Sequence, residues 1–212
     1  MSERSLILLG AGGHARSCID VIEQVPGLKL AGLVGAPGEV GKQVLGYPVL
    51  ATDTALEELR QDHEHALVAV GQIHSPELRQ KLFAMAEAAG FELPVVVSPL
   101  ARVSPHAKVA AGTIIMHGAT VNAGASVGRN CIINSHALVE HDARVGDHCH
   151  VSTSAVLNGG VRVEQGCFIG SGSIIREGVR LGERCLVGMG SRVYRDLAAG
   201  SRVSGEERCQ AP

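Results

Sequence analysis

Histidines and carboxylates are concentrated in one short segment, LVEHDARVGDHCHVS, at residues 138 to 152. In it, His141 stands between Glu140 and Asp142, and His148 and His150 follow. A neutral imidazole near pH 7 can take a proton from a reacting group, and a neighbouring carboxylate can fix its tautomer. Histidine and carboxylate side chains also bind zinc. The segment therefore indicates a general base with an acidic helper, a metal site or a solvated surface, and the surrounding fold must decide.

A six-residue repeat positions this segment. From Val103 to Val193 every sixth residue is aliphatic, without an insertion in sixteen repeats, and a mostly small side chain comes four residues after each. This is the hexapeptide pattern of a parallel β-helix, in which three repeats form one triangular coil and the aliphatic side chain points into the prism. We predict this β-helix, with a C-terminal tail, over residues 101–212.

The register of the repeat separates the histidines. Because His141 and His150 are nine residues apart, half of one coil, they are expected on opposite sides of the prism and cannot bind one ion within one subunit. Only across a subunit boundary in a closed threefold assembly could they face each other. The remaining histidines of the β-helix are predicted to be solvated corner residues: His106, His117, His136 and His148.

Four cysteines share one column of the predicted coils, since they are spaced by eighteen residues: Cys131, Cys149, Cys167 and Cys185. They occupy the inward small-residue position. Burial in apolar surroundings raises the pKa of a thiol and makes it inert, so we interpret the column as structural rather than as a metal or redox ladder.

Composition narrows the function classes. The chain has 212 residues, with 19 Lys and Arg against 21 Asp and Glu, so no charge surplus indicates a nucleic-acid or membrane partner. Its N-terminal apolar run, LILLG, is too short for a signal or a membrane span. We expect a cytoplasmic protein with reduced thiols.

Residues 1–100 are predicted to form a small Rossmann-like parallel α/β domain. SLILLGAGGHARSCIDVIE reads as strand, turn and helix, HALVAVG is a second buried strand, and ELPVVVSP is interpreted as another. Between the last two, a helix is expected from Ser75 and Pro76 to Gly90.

The turn GAGGHA has the spacing of a phosphate-binding loop, with Gly10, Gly12 and Ala15 in a Gly-x-Gly-x-x-Ala pattern. Its glycines would let backbone N–H groups approach a phosphate at a helix N-terminus. A dinucleotide site also needs an acidic residue at the end of the strand that follows the helix, and here that strand, KLAGLVG, ends in Gly35 and Ala36. We therefore expect a nucleotide diphosphate rather than NAD, and a tight turn without a ligand is the alternative.

Several motifs together resemble one family. LLGAGGHAR, GKQVLGYPVL, the hexapeptide array and IINSHALVEHD are similar to the sugar O- and N-acetyltransferases of the sialic-acid and bacillosamine or perosamine type, which take part in surface polysaccharide biosynthesis. The resemblance implies a left-handed β-helix, acetyl-CoA as co-substrate, and transfer to the amino group of a UDP- or GDP-linked 4-amino-deoxy sugar. It also implies a homotrimer with active sites between subunits.

The resemblance assigns roles to individual residues. His141 would be the general base in a direct transfer from the thioester, with Asp142 or Glu140 as its helper; we favour Asp142 for orientation and Glu140 nearer the substrate. Gly12, Gly13, His14 and Asn134 would bind the nucleotide sugar. His150 would donate an N–H to the acetyl carbonyl, and the backbone around Gly159, Gly170 and Met189 would contact acetyl-CoA. No metal is expected.

The chain departs from the family pattern in two places, and three alternative functions remain open. Relatives often have an Asp-Asp pair where this chain has Gly35 and Ala36, and the tail VSGEERCQAP is atypical. O-acetylation of sialic acid or a related sugar is one alternative. A γ-class carbonic anhydrase is another, since His136 and His141 have its ligand spacing, but Leu100 stands where the third histidine is needed. A non-catalytic assembly protein would leave the glycine turn unexplained.

Overall fold

The first part of the chain is a small sheet covered by helices. A computed structural model describes residues 4–204. The strands are β1 (Arg4–Leu9), β2 (Leu28–Val34), β3 (Gln43–Val44), β4 (Tyr47–Ala51) and β5 (His65–Val68), and the helices are α1 (Gly13–Ile22), α2 (Leu56–Asp62) and α3 (Glu77–Ala88). Short 3₁₀ turns lie at Pro37–Glu39 and Asp53–Ala55. Within residues 4–204 there is no helix with the length and apolarity needed to span a bilayer.

The interior strand β1 contributes side chains to two cores. The sheet order is β3-β4-β2-β1-β5, with only the β3–β4 pair antiparallel. Because side chains alternate across a strand, Leu6 and Leu8 pack on the side of α1, whereas Ile7 and Leu9 pack on the side of α2 and α3. The predicted α/β domain is confirmed. The predicted helix after Ser75 is also confirmed, and the Ser75 Oγ accepts the Glu77 N–H at 3.1 Å.

The second part of the chain is a β-helix built from two-residue strands on three faces. The first face holds β6 (Val96–Val97), β9 (Ile114–Ile115), β12 (Ile132–Ile133), β15 (His150–Val151), β18 (Phe168–Ile169), β21 (Leu186–Val187) and β23 (Arg202–Val203). The second face holds β7 (Arg102–Val103), β10 (Thr120–Val121), β13 (Leu138–Val139), β16 (Val156–Leu157), β19 (Ile174–Ile175) and β22 (Arg192–Val193). The third face holds β8 (Lys108–Val109), β11 (Ser126–Val127), β14 (Arg144–Val145), β17 (Arg162–Val163) and β20 (Arg180–Leu181).

The predicted repeat register is confirmed. Strands β7 to β22 each end on one of the predicted aliphatic positions, and these side chains are buried in a single core from Ile115 to Val193. Parallel pairing joins residues eighteen apart, as between Leu138 and Val156. We name the three edges of the prism by the faces they connect: the 1–2 corner, the 2–3 corner and the 3–1 corner.

One predicted strand lies in the other domain. ELPVVVSP was expected to extend the α/β sheet, but Val96 and Val97 form β6, which pairs with β9 of the β-helix. The Val96 N–H donates to the Thr113 carbonyl and the Ser98 N–H to the Ile115 carbonyl, so these backbone groups complete the first coil. The β-helix therefore begins before residue 101, and its tail from residue 205 lies outside the described residues.

The small domain packs against the first face and the 3–1 corner of the β-helix. The outward side chains of Val96, Ile114 and Ile132 belong to the same core as α1. Arg79 of α3 is 1% exposed, and its guanidinium donates to the carbonyls of Val68 and Val70 and to Asn130 on the 3–1 corner. Burial lowers the pKa of Arg79 to about 10, so the contact remains charged at neutral pH.

Two histidines that were predicted to be solvated lie instead in the contact between the small domain and the β-helix. His117 is 2.9 Å from Asp20 of α1 and 2.6 Å from Ser98. His148 is half-buried, bonds Asn130 at 3.0 Å and meets the ring of Phe83 edge-on. The solvated-corner prediction is therefore wrong for both, because the small domain folds back over these coils.

The cysteine column is buried as predicted, and each thiol has a hydrogen-bonding role. The thiols of Cys131, Cys149 and Cys167 each donate, at 3.1 Å, to a backbone carbonyl fifteen residues ahead. Thr113 fills the same column one coil earlier and donates from its hydroxyl to the Gly128 carbonyl at 2.7 Å. Burial, followed by hydrogen bonds with neighbouring thiols, raises the pKa of Cys149 well above its ordinary value. The column therefore caps carbonyls at the 3–1 corner.

Replacing Cys149 tests this role. Cys149→Ala removes the donor to the Glu164 carbonyl and should lower the free energy of unfolding by about 1 to 2 kcal/mol. Cys149→Ser keeps a donor, as Thr113 does, and should lose clearly less. Urea unfolding at one fixed protein concentration measures both; equal losses in the two variants would contradict the capping role.

Candidate active site

His141 lies exposed on the 2–3 corner, directly after β13, and is paired with Asp142. The distance from His141 Nδ1 to Asp142 Oδ2 is 3.0 Å. Asp142 has a φ of +60°, in the left-handed region that Asp tolerates better than most residues. One coil earlier, Gly124 leaves space for this carboxylate, since a Cβ there would stand 2.5 Å from Asp142 Oδ1. The corner backbone thus holds the His–Asp pair.

The protonation of His141 follows from this pair. Since a carboxylate only accepts, Nδ1 carries the ring hydrogen and Nε2 presents a lone pair. The hydrogen bond to Asp142 raises the pKa of His141 above its ordinary value, and the charge of Glu140 acts in the same direction. The ring is therefore a stronger base than free imidazole, with its basic nitrogen unobstructed by the helper.

Glu140 has other partners. Its Oε2 accepts hydrogen bonds from Asn122 Nδ2 at 2.8 Å and from the His141 backbone N–H at 3.1 Å. Of the two candidate helpers, the structure thus places Asp142 at the imidazole and Glu140 at the backbone. Asn122, Glu140 and Asn158 are spaced by eighteen residues and share one column, a signal in the sequence that would have identified both asparagines.

The His141 ring lies over Gly159, one coil further along. A Cβ at Gly159 would stand 2.7 Å from both Cε1 and Nε2 of His141, so the absence of a side chain there permits the ring position. An open groove of about 640 Å³ begins at this point, lined by Glu140, His141, Asn158, Gly159, Glu177 and Gly178. The basic nitrogen therefore borders a space large enough for a bound reactant.

A second polar cluster lies where the first face meets the small domain. His150 is 6% exposed; its Nδ1 donates to the Gln72 carbonyl at 2.8 Å and its Nε2 accepts from Asn134 at 3.1 Å. The His14 ring is 6.2 Å from that of His150, and its Nε2 is buried with no hydrogen-bond partner among residues 4–204. The structure thus brings together three predicted substrate or acetyl-CoA residues, along with Gln72, which the sequence did not indicate.

Both histidines of this cluster are neutral at pH 7. Burial, with the nearby Arg79 charge, lowers the pKa of His14 to about 3. Burial likewise lowers the pKa of His150 to about 4. As placed, His150 has no free N–H for an acetyl carbonyl, in contrast to the predicted donor role, because one ring nitrogen is bonded to Gln72 and the other accepts from Asn134. Asn134 keeps one amide hydrogen without an acceptor among the described residues, so it can donate at this position instead.

The remaining predicted binding residues are dispersed. Gly12 and Gly13 begin α1, and Gly12 borders a cavity of about 440 Å³ at the carboxyl ends of β1 and β2. Gly170 and Met189 lie on the 1–2 corner, where the Met189 side chain is 77% exposed.

Within one chain the two clusters occupy different edges of the prism. His141 and its partners lie on the 2–3 corner, whereas Asn134 lies on the 1–2 corner beside the first face. His136 also lies on the 1–2 corner, away from His141. Over residues 4–204, no three His, Cys, Asp or Glu side chains converge as a metal site would require.

Two family models match the chain. The model of the PglD N-terminal domain covers residues 5–86, and that of the hexapeptide repeat of succinyl-transferase covers residues 160–195. A search of the curated proteins finds no match.

Solved structures resemble both domains together. PerB from Caulobacter crescentus, solved with CoA and GDP-perosamine, is 36% identical with a TM-score of 0.87, over 93% of this chain and 92% of that one. A His-to-Asn variant of perosamine N-acetyltransferase from the same organism is 34% identical over the same shares, also with a TM-score of 0.87. The acetyltransferase domain of PglB from Neisseria gonorrhoeae FA1090, in complex with acetyl coenzyme A, is 30% identical with a TM-score of 0.87, over 96% and 97%. WeeI from Acinetobacter baumannii AYE, 23% identical with a TM-score of 0.84 over 96% and 98%, shares the fold. The β-helix is thus of the left-handed hexapeptide type.

The His141–Asp142 pair can be tested by titration. Asp142→Asn removes the acceptor charge and should lower the pKa of His141, whereas Glu140→Gln, which alters only a weaker charge effect, should lower it less. NMR titration of the His141 ring protons in the wild type and both variants measures this. An unchanged pKa in Asp142→Asn would show that the carboxylate does not act on the ring.

Proposed function

Since the chain belongs to the family of sugar N-acetyltransferases that includes these enzymes, we propose that it transfers the acetyl group of acetyl-CoA to the amino group of a nucleotide-linked 4-amino-deoxy sugar. Family membership supports N-acetylation over O-acetylation. It gives no support to the carbonic-anhydrase and assembly-protein alternatives. Acetyl-CoA and activated sugars are cytoplasmic metabolites, so we place the reaction there.

The His141–Asp142 pair beside the open groove is the observation that carries this proposal. The sugar amine attacks the thioester carbonyl while His141 Nε2 takes its proton, so that the C–N bond forms as the nitrogen loses its extra charge. The tetrahedral intermediate then collapses, the C–S bond breaks, and the imidazolium returns a proton to the leaving CoA thiolate. Asp142 holds the ring tautomer and stabilises the imidazolium between these steps.

The two reactants bind at the two clusters, acetyl-CoA in the groove beside His141 and the sugar nucleotide near His14 and Asn134. The groove over Gly159 receives the acetyl end of acetyl-CoA, and the 1–2 corner backbone at Gly170 and Met189 contacts the cofactor from the neighbouring subunit. The sugar nucleotide lies with its phosphates at the N–H groups of Gly12 and Gly13, near His14, and its amino sugar extends toward Asn134. Holding both reactants together supplies much of the rate by itself.

The two clusters would be joined between subunits of a homotrimer. The second face exposes an apolar ladder formed by Leu138, Val156 and Ile174, of which Ile174 is 40% exposed. The equivalent outward positions of the third face are instead polar: Ser126, Arg144, Arg162 and Arg180. Burying the second face around a threefold axis sets the 2–3 corner of one chain against the 1–2 corner of the next. Each site then takes His141 from one subunit and Asn134 from its neighbour.

The reaction is tested with purified protein, acetyl-CoA and UDP- or GDP-linked 4-amino sugars, following release of the CoA thiol. His141→Ala should lower kcat by about 10²- to 10⁴-fold because the proton acceptor is lost. Binding of acetyl-CoA should remain near the wild-type level. Glu183→Gln, which removes an exposed carboxylate on the 3–1 corner, is the matched control and should keep full activity. Undiminished turnover in His141→Ala would refute the assigned base.

Mixing inactive variants tests the shared site. His141→Ala and Asn134→Ala subunits should each form inactive trimers, but reassembly of an equal mixture should restore activity. Random assembly makes about three quarters of trimers mixed, each with one intact site in three, so about one quarter of wild-type activity is expected. A mixture as inactive as its components would place the whole site within one chain.

A further inference from the structure

A cavity of about 440 Å³ opens at the carboxyl ends of β1 and β2, between the glycine turn and the first residues after β2. Its walls are mostly apolar, including Val34, Leu78 and Leu82, and it has two carboxylates, Glu39 and Asp53. In parallel α/β sheets this is the place where a nucleotide binds, with its phosphates on the glycine turn and its ribose near the end of the second strand. An acidic residue usually follows that strand to accept the ribose hydroxyls.

Glu39 places a carboxylate near the end of β2, although the residues that directly follow β2 are Gly35 and Ala36. Its Oε2 accepts the Ala36 backbone N–H at 2.8 Å, which folds the side chain back over the 3₁₀ turn. A Cβ at Gly35 would stand 2.9 Å from this same oxygen and 2.9 Å from Val49 Cγ1. The space that a side chain at Gly35 would need is therefore filled by the Glu39 carboxylate, and the glycine is what admits it.

The two carboxylates of the cavity differ in availability. Asp53 already has a cationic partner, since it is 3.7 Å from the Lys81 ammonium. Glu39 takes only the Ala36 N–H among the contacts of the described residues, and an ionised carboxylate has about four acceptor positions. Its Oε1 is thus left to accept hydrogen bonds from a ligand in the cavity.

We propose that Glu39 is the specificity-determining residue that binds the ribose hydroxyls of the substrate's nucleotide, so that the protein selects ribonucleotide-linked sugars over 2′-deoxyribonucleotide-linked ones. The inference rests on the proposed function in taking the ligand to be a nucleotide sugar. Hydroxyl groups donate and a carboxylate only accepts, so the cis-diol of a ribose suits this group. A 2′-deoxyribose offers one donor fewer.

Binding of nucleoside diphosphates tests the proposal without acetyl transfer. Isothermal titration calorimetry with UDP against 2′-deoxy-UDP, and GDP against 2′-deoxy-GDP, gives a ribose preference for each base. For the base that the protein accepts, the wild type should bind the ribonucleotide about 10- to 100-fold more tightly, the range of one hydrogen bond to a charged group. A ratio near one would overturn the proposal.

Two variants separate recognition from local structure. Glu39→Gln retains an oxygen for the Ala36 N–H but loses the charge, and its ribose preference should fall several-fold. Glu39→Ala should bring the ratio close to one. Glu58→Gln, an exposed carboxylate on α2 outside the cavity, is the control and should keep the wild-type ratio. If Glu39 only stabilises the turn, its variants will weaken both nucleotides equally and leave the ratio unchanged, which overturns the assignment.

The thiol-release assay distinguishes a failure of the Glu39 role from a failure of the proposed acetyl transfer. A wild-type protein that acetylates amino sugars but binds neither diphosphate pair would refute the role of Glu39 and leave the acetyltransferase activity standing. Ribose-selective binding that depends on Glu39, in a protein that releases no thiol from acetyl-CoA with any amino sugar, would support the role of Glu39 and refute the acetyl transfer.

Discussion

Backbone hydrogen bonding between successive coils is the constraint on which the rest of the structure depends. Each strand of the β-helix pairs with the residue eighteen positions away, as Thr120 does with Leu138, and the inward aliphatic side chains fill the prism without interruption. Since this ladder allows no slippage without exposing the core, every outward residue has a fixed face and corner. The location of His141 on the 2–3 corner is thus a result of register before it is a matter of chemistry.

The His141–Asp142 pair lies on a corner where glycines on the adjacent coils leave room for its side chains. The ring of His141 over Gly159 and the carboxylate of Asp142 over Gly124 both need a missing side chain on an adjacent coil. The corner backbones are themselves hydrogen-bonded from coil to coil, as the Gly160 N–H is to the His141 carbonyl at 3.0 Å, so the room comes from the missing side chains. A β-helix with few aromatic residues can therefore still hold a His–Asp pair beside a groove, because glycines one coil away leave space for these side chains.

The sequence predicted the features that have a period and missed those that do not. The sixteen inward positions and the cysteine column were readable because residue type repeats with the coil. The contacts of His117 and His148 with the small domain were not, since Asp20 and Phe83 lie far away in sequence and share no period with them. Glu39 was missed for another reason: the sequence shows an absent acid at Gly35, and only the folded turn shows which carboxylate fills its place.

The unbroken six-residue register also fixes the spacing of residues along the axis of the β-helix. A single-residue insertion between Val103 and Val193 would move every following aliphatic side chain out of its inward position, and six inserted residues would move every following strand to the next face. Only eighteen inserted residues, one whole coil of about 4.8 Å, would leave every face and corner in place. The small domain contacts the first face and the 3–1 corner over several coils, from Val96 to Arg184, and His141 lies at a fixed height among these coils. The distance between the proposed nucleotide site and His141 is therefore set by the register of the coils, and it can change only in steps of one coil.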